Sequence, residues 1–406
     1  MRRKSVLTIV CLLVLATVCM AAGETATRAD STAVTEPVAT ADTLPDGAAE
    51  SDTAAVRRKF GRRFADYFVN ANKPHPDKKF DFSIIGGPQY SSTTSFGVGL
   101  VAAGVYRMNR LDTITQPSVM SFYGNVSVTG FYLLGVRGTN IFPGDRYRLL
   151  YNFYFFSFPS NFWGWGYDNG ANRDNKSSYL RLQNQVKLDF LFRLAHNLYV
   201  GPMASFDYVA GRSFSNPGLL QGQPRKTFTT GVGASVSYDT RDLITNAYRG
   251  VYVKLEQGVY PSFLGNRQAF AMTDIIVDWY KRAWKSGVIA IDFHSKFNYG
   301  DVPWTMMSRM GGVNRMRGYY EGQYRDNNIT ELQVELRQHL WRRNGMAIWA
   351  GAANVYRDFK SFDIRHTLPN YGVGYRWEFK ERVNVRLDLG FGKEGVGFMF
   401  NINEAF

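Results

Sequence analysis

A two-residue alternation of polar and apolar side chains is the feature that most constrains this chain. Across residues 181–190, Arg, Gln, Lys and Asp fall on one parity and mostly Leu, Val and Phe on the other. Successive side chains of a β-strand point to opposite faces, so such a segment has one wet face and one apolar face. The alternation recurs at residues 251–255, 332–336 and 383–389. The pattern predicts an all-β chain.

Two features indicate whether the apolar face meets a protein core or lipid: the charge on the polar face and the length of the apolar stretches. A soluble sandwich also alternates, but its polar face rarely carries dense mixed charge over so many strands. No apolar stretch after the first 22 residues is long enough for a membrane helix, so a spanning structure must be a closed barrel. Aromatic residues make up 15% of the chain and Gly numbers 39, which suits interfacial girdles and many turns. We therefore predict a transmembrane antiparallel β-barrel over residues 80–406.

The alternating segments predict about 16 strands, an even number that returns both ends of the barrel to the periplasm. Short connections are expected on the periplasmic side, at residues 143–145, 284–287, 342–345 and 380–381. Long connections are expected outside, at residues 159–178, 211–226, 300–327 and 358–366. This asymmetry is typical of outer-membrane barrels.

The first 22 residues predict a cleaved secretory signal peptide. They begin with three basic residues, continue with an apolar run at residues 6–18 and end in small residues at 21–23. Cys11 and Cys19 both lie in this segment, so the mature protein is expected to have no disulfide. The chain is therefore expected to leave the cytoplasm for the outer membrane.

Two further segments precede the predicted barrel. Residues 23–56 are mostly Thr, Ala, Ser, Asp and Glu, which predicts a disordered periplasmic spacer. Residues 57–79 begin with five basic side chains interleaved with aromatic ones at helical spacing, which predicts a short amphipathic segment. That segment could dock on the membrane surface, plug the lumen or remain solvated.

The net charge of +14 raises the question of nucleic acid binding. A secreted, aromatic-rich strand protein makes this interpretation poor. Anionic lipid head groups are the more economical partners for the basic residues. We predict contact with outer-membrane lipid and no nucleic acid partner.

The most specific motif lies in the longest predicted outer loop, where Met316, Arg317, Gly318 and Tyr319 are consecutive. Here the sequence resembles the BamA/TamA family of outer-membrane assembly barrels. That family places an Arg-Gly-aromatic tip on a long loop folded back into the lumen. The resemblance therefore implies a long extracellular loop folded inward, with these four residues at its tip.

A guanidinium in a confined lumen needs a carboxylate partner, because desolvating it unpaired is costly. Glu335 is the candidate, since it lies on the polar parity of the following strand and its context resembles the family's matching strand. The family usually has an aspartate on the next strand, where this chain has Gly351. No second acidic partner for Arg317 is therefore expected at that position.

Asp239, Arg241 and Asp242, followed by Gly250, resemble the family's strand-turn motif. Two nearby carboxylates could also hold a cation. Arg241 lies between them, which favours an ion-paired periplasmic turn. We predict no metal site.

The last predicted strand, near residues 394–406, places Phe398, Phe400 and Phe406 on one parity. This pattern is similar to the C-terminal signal by which such barrels are recognised for assembly. The aromatic side chains are thus predicted to keep one parity up to the last residue.

No coherent set of catalytic residues or cofactor motif emerges from the sequence. His294 and Ser295 are adjacent, so on a strand they would point to opposite faces and could not act as base and nucleophile together. We predict no catalytic residue, no cofactor and no enzymatic activity.

The resemblance implies assisted insertion or translocation of proteins, or of lipid, at the outer membrane. Relatives carry periplasmic POTRA modules, whereas residues 24–79 are too polar to form one. A barrel-only member of this kind would need a separate periplasmic accessory protein or a homodimer. Two alternatives stay open. One is a passive or gated pore lined by Arg181, Lys187, Arg386 and Asp388, and the other is a structural barrel without transport activity.

Overall fold

The computed structural model describes residues 80–91, 95–109, 115–393 and 395–406. The predicted signal peptide, spacer and basic segment lie outside these residues. Sixteen strands form one antiparallel sheet in which the order of strands follows the sequence, curled into a nearly closed barrel. The predicted fold class and strand number are therefore confirmed.

The barrel strands have lengths of 8 to 19 residues. They are β1 (Phe80–Ser91), β2 (Ser95–Tyr106), β3 (Ser118–Ser127), β4 (Tyr132–Ile141), β5 (Tyr147–Phe162), β6 (Ser177–Ala195), β7 (Leu198–Arg212), β8 (Lys226–Asp239), β9 (Gly250–Tyr260), β10 (Phe270–Trp284), β11 (Gly287–Gly300), β14 (Asn328–Trp341), β15 (Asn344–Tyr356), β16 (Leu368–Lys380), β17 (Val383–Gly392) and β18 (Gly395–Ile402). Two short strands, β12 (Ser308–Arg309) and β13 (Arg325–Asp326), pair with each other in the long loop after β11.

The side chains of β14 show why the alternation produces a barrel. Leu332 and Val334 point outward and remain 45% and 43% exposed. Gln333 and Glu335 point inward and are fully buried. A soluble protein would reverse this distribution, whereas a lipid-facing wall around a polar lumen requires it.

The connections differ between the two ends of the barrel. At one end the hairpins are tight, and Asn197, Arg342 and Arg382 adopt left-handed φ values of 59°, 52° and 56° to close them. At the other end the loops are long, and one of them contains a five-residue helix, α1 (Tyr167–Ala171). Short turns mark the periplasmic end of such barrels and long loops the extracellular end. No helix in the described ranges is long and apolar enough to cross a membrane.

The two edges of the sheet approach each other at the periplasmic end. Ala103 of β2 packs with Val383 of β17 and Ile402 of β18, and Val101 lies against this cluster. The contact joins the first hairpin to the last two strands across the open edge of the sheet.

The end of the last strand differs from the prediction. β18 ends at Ile402, and Asn403 turns the backbone with a φ of 70°. Phe398 and Phe400 face outward at 58% and 47% exposure, but Phe406 packs beside Tyr280 inside the barrel. The predicted parity therefore does not continue to the last residue, because the turn at Asn403 and the ion pairs of Glu404 place residues 403–406 in the lumen. A role in assembly for these three rings stays a prediction.

Candidate functional site

The loop between β11 and β14 folds into the lumen and carries the tip at its centre. β12 and β13 bring the two ends of the loop together, with Ser308 opposite Asp326. At the tip, Met316 has a φ of 45° and Gly318 a φ of 113°, and the amide of Tyr319 donates to the carbonyl of Met316 at 3.2 Å. These left-handed residues reverse the chain and aim Arg317 at the barrel wall.

Gly318 lies directly against the backbone of the last hairpin. A Cβ added to Gly318 would lie 2.8 Å from the carbonyl carbon of Gly390 and 2.9 Å from the amide nitrogen of Gly392. A Cβ added to Gly390 would lie 2.4 Å from the carbonyl oxygen of Arg317. Glycine is thus required on both sides of the contact between the loop tip and β17, and at Gly318 also by the backbone conformation.

Arg317 is completely buried, and its guanidinium charge has favourable contacts on three sides. Its Nη2 donates to Oε2 of Glu335 at 2.6 Å, and its Nη1 donates to Oδ2 of Asp388 at 2.8 Å. The Cζ atom lies 3.6 Å from the ring centroid of Trp349. Two carboxylates and an aromatic face offset the desolvation of the guanidinium and fix its orientation. The structure thus places Glu335 beside Arg317.

The second acidic partner, Asp388, was not expected from the sequence. Gly351 occupies the position where the family strand carries an aspartate, and Asp388 supplies the carboxylate from β17 instead. The sequence did show that Asp388 lies on the polar, inward-facing parity of β17. The missing information was the distance across the lumen between β17 and the loop, which depends on how the sheet closes.

The tip belongs to a larger network of buried charges. Glu335 also accepts from Arg337 at 2.7 Å, and Arg376 contacts both Asp388 at 2.5 Å and Glu404 at 2.9 Å. The network therefore couples the loop tip to the segment after β18. Its members are Arg317, Arg337, Arg376, Arg386, Glu335, Asp388 and Glu404.

A second anchor holds the loop two residues before the tip. Arg315 donates to both carboxylate oxygens of Asp292 on β11, at 2.7 Å each. Arg386 of β17 donates to the carbonyl of Val313 and to Oδ1 of Asn314, at 3.0 Å each. Arg315 was not singled out from the sequence, although a bidentate pair of this geometry is a strong contact.

Tyr319 closes the tip on its apolar side. Its hydroxyl donates to the carbonyl of Pro369 at 2.7 Å and accepts from the amide of Lys393 at 2.8 Å. Met316 is buried beside it in a cluster with Met310 and Tyr324. The structure thus brings four predicted tip residues and Glu335 into one buried assembly.

The predicted strand-turn residues form a separate site at the periplasmic end. Asp239 accepts from Arg241 at 2.9 Å and from Arg148 at 3.0 Å. Asp242 accepts from Arg382 at 2.8 Å and from nearby backbone amides. Gly250 has a φ of 115°, and a Cβ there would lie 2.3 Å from the carbonyl oxygen of Thr240. The arrangement is an ion-paired turn in which Asp239 has two arginine partners and Asp242 has one.

His294 and Ser295 have separate partners. His294 contacts Glu331 at 2.6 Å and Asp274 at 3.1 Å. The Ser295 hydroxyl donates to the carbonyl of Ile329 at 2.9 Å. The two side chains hold strands together and do not contact each other as a base and a nucleophile would.

The loop and its neighbours fill much of the lumen. At the extracellular end, Phe162, Tyr179 and Trp304 form an aromatic cluster. Toward the periplasm, two cavities of about 350 Å³ and 320 Å³ remain, and Glu404 lines both. The buried tip therefore separates a packed extracellular half from a periplasmic half that contains both cavities.

Comparisons with known proteins agree with this architecture. No curated protein matches the sequence. CdiB from Escherichia coli superimposes with a TM-score of 0.51 at 11% identity, over 81% of this chain and 62% of CdiB. The similarity shows a shared fold, and the chain spans about three fifths of the length of that CdiB structure.

A second similar structure is BamA from Haemophilus ducreyi lacking POTRA domains 1–3, with a TM-score of 0.48 and 12% identity over 79% of this chain and 69% of BamA. The Omp85 superfamily domain matches residues 138–406, which include the loop tip, its carboxylate partners and the last hairpin. The chain therefore belongs to the Omp85 superfamily and forms an outer-membrane β-barrel.

Proposed function

We propose that this barrel assists the insertion or translocation of other proteins, or of lipid, at the outer membrane. The observation that carries the proposal is the buried contact between Arg317 and the two carboxylates of Glu335 and Asp388. It clamps the loop against β17, next to the edge strand β18. A clamp beside a sheet edge is suited to controlling access to that edge.

The last strand of the wall is an edge strand that is held by a short ladder on one side only. The ladder between β17 and β18 joins eight residue pairs, whereas that between β5 and β6 joins 16. Fewer backbone hydrogen bonds hold β18, so contacts with the loop tip carry more of its stability. Release of the tip would loosen an edge that can template an incoming strand.

The experiment compares cells that lack this chain with cells that produce it, or its Arg317→Ala variant. Outer-membrane protein abundance and lipid asymmetry are measured in each strain. We expect defects without the chain, rescue by the original chain and incomplete rescue by the variant. Arg225→Ala, on an exposed extracellular loop, is the control and should rescue fully. Normal abundance and asymmetry in the absence of the chain would rule out the proposal.

A periplasmic accessory protein is the expected source of clients. Purification in mild detergent, followed by mass spectrometry and mass determination of the complex, identifies such a partner. A homodimer is the alternative assembly, and a mass of two chains without a second protein would favour it.

A gated pore is the second candidate, favoured by the two cavities and by inward-facing charges such as Arg181 and Lys187. Arg386 and Asp388, expected to line a pore, are instead buried beneath the loop. Planar-bilayer recording separates the candidates. The original chain should conduct little, and replacement of residues 311–320 by a short Gly-Ser linker should raise conductance severalfold. High conductance of the original chain would favour the pore.

A further inference from the structure

The periplasmic mouth of the barrel contains a cavity of about 350 Å³. It lies between the turn that carries Tyr248, the β10–β11 turn at Lys285 and the β14–β15 turn at Arg343. Its inner wall includes Arg337 and Glu404, which belong to the charge network of the loop tip. The cavity is thus open to the periplasm on one side and joined to the buried network on the other.

The ionisable lining is unbalanced. Five cationic side chains line the cavity against two carboxylates, those of Glu378 and Glu404. Both carboxylates are engaged: Glu404 accepts from Arg376 at 2.9 Å, and Glu378 accepts from the amide of Arg382 at 2.8 Å. The cationic members are Arg282, Lys285, Arg337, Arg343 and Arg376.

Part of this positive charge has no counterion within the part of the chain that the structure describes. None of the ion pairs found among the described residues includes Arg282 or Lys285. Nη1 of Arg337 is buried and, within the described part of the chain, has no hydrogen-bond partner. Unmatched cations around a polar cavity attract an anion.

One of the cationic side chains that would bind the anion is already held in place by stacking. Tyr248 lies between two guanidinium groups, with Arg282 at 4.7 Å and Arg382 at 3.9 Å from its ring centroid. Stacking restricts the arginine side chain, and a planar guanidinium binds a carboxylate through two parallel hydrogen bonds. The cavity volume is at the lower end of ligand sites, which suits a few residues of a peptide.

The occupant has to arrive from the periplasm. Arg337, Arg376 and Asn384 lie on the inner face of the wall, so the sheet separates them from the head groups of the surrounding bilayer. The route from the other end is filled by the buried tip at Arg317 and by the aromatic cluster at the extracellular end. A soluble periplasmic chain fits these limits.

We propose that this cavity is a docking site for an acidic segment of a separate periplasmic protein, whose Asp or Glu carboxylates bind Arg282, Lys285 and Arg337. The proposal rests on the proposed function, which needs a periplasmic accessory protein. It identifies the chemistry of that protein's contact with the barrel.

The test measures binding of a fluorescein-labelled peptide of six alternating Asp and Glu residues to the full-length protein in nanodiscs, by fluorescence anisotropy. The variant Arg282→Glu with Lys285→Glu should weaken binding at least tenfold. Both side chains are exposed, and heat-modifiable gel mobility checks that the barrel folds. The matched control is Arg225→Glu with Lys226→Glu, which makes the same charge change at the extracellular end and should leave affinity unchanged.

Two results would overturn the docking site. One is equal affinity of the cavity variant and the original chain. The other is displacement of the peptide by inorganic phosphate when the phosphate concentration equals the total concentration of peptide carboxylates. That result would indicate a general anion site. Binding is measured on the purified chain, so normal outer-membrane composition in cells lacking the chain would contradict the proposed function without changing this result.

Discussion

Arg317 is the residue on which the inner loop depends. Its charge is matched by Glu335 and Asp388, and its flat face lies against Trp349. Loss of the guanidinium leaves both carboxylates buried, although Arg337 and Arg376 still contact them. The energetic role of the residue is therefore to keep the loop, β14 and β17 in one arrangement.

We expect Arg317→Ala to destabilise the barrel by about 3 kcal/mol, because breaking a buried ion pair leaves uncompensated charge. The measurement is the temperature at which the unheated gel band converts to the heated one. Arg317→Lys should recover only part of the loss, since an ammonium cannot bridge two carboxylates in the planar geometry of a guanidinium. Full recovery by lysine would show that charge alone matters.

Gly318 allows a test of close packing. In Gly318→Ala, the new Cβ would meet the backbone of Gly390 at 2.8 Å, and the residue would also keep a φ of 113°. We expect a displaced loop that proteases cleave faster. Gly312→Ala is the matched control, because it has a φ of 127° but its nearest neighbour is the flexible Glu321 side chain at 3.8 Å. Equal protease sensitivity of the two variants would assign the effect to backbone strain.

At the scale of elements, the strands were predictable, whereas of the two carboxylate partners of Arg317 only Glu335 was predicted. A barrel strand meets lipid on one face and a polar interior on the other. The alternation of its polar and apolar side chains is therefore visible in the sequence. The pairing of Arg317 with Asp388 depends on the closure of the whole sheet. The turn at Asn403 was missed because the aromatic parity was extended past Glu404, whose carboxylate pairs inside the barrel.

The segment after β18 is expected to depend on Glu404. Glu404→Gln weakens its contacts with Arg376 at 2.9 Å and Arg337 at 3.6 Å, so residues 403–406 should leave the lumen more often. Ala405→Cys, buried at 7% exposure, reports this motion through its rate of labelling by a charged maleimide. We expect labelling several times faster with Glu404→Gln than without it.

The control for this labelling combines Ala405→Cys with Glu378→Gln, which changes a carboxylate at the same mouth without touching the segment. Its labelling rate should equal that of Ala405→Cys alone. Identical rates with Glu404→Gln and Glu378→Gln would show that the Glu404 ion pairs do not hold the segment.

At the scale of the whole molecule, the barrel is asymmetric along its axis. Aromatic packing fills the extracellular end, buried ion pairs cross the centre, and water-accessible cavities lie toward the periplasm. Packed side chains thus fill the extracellular end, whereas the periplasmic mouth keeps open space. This asymmetry was not predictable from strand patterns, because it depends on which side chains meet within the lumen.

The apolar outer wall determines how the purified protein should behave. Outward residues such as Val98, Val334 and Tyr371 are 63%, 43% and 61% exposed. We expect extraction only with detergent, and faster gel migration before heating than after it, because a closed sheet resists unfolding by detergent at room temperature. Solubility of the purified protein without detergent would contradict the barrel. Identical gel migration before and after heating, together with a spectrum typical of random coil, would also contradict it.

The inward course of residues 403–406 has a practical consequence for handling the protein. Anything fused after Phe406 would start its path inside the lumen, beside Tyr280 and Arg337. An affinity handle at that position would have to thread outward past the buried charges or pull the segment out with it. Gly222, exposed on an extracellular loop with nothing within 4 Å of an added Cβ, offers an insertion point that leaves the interior undisturbed.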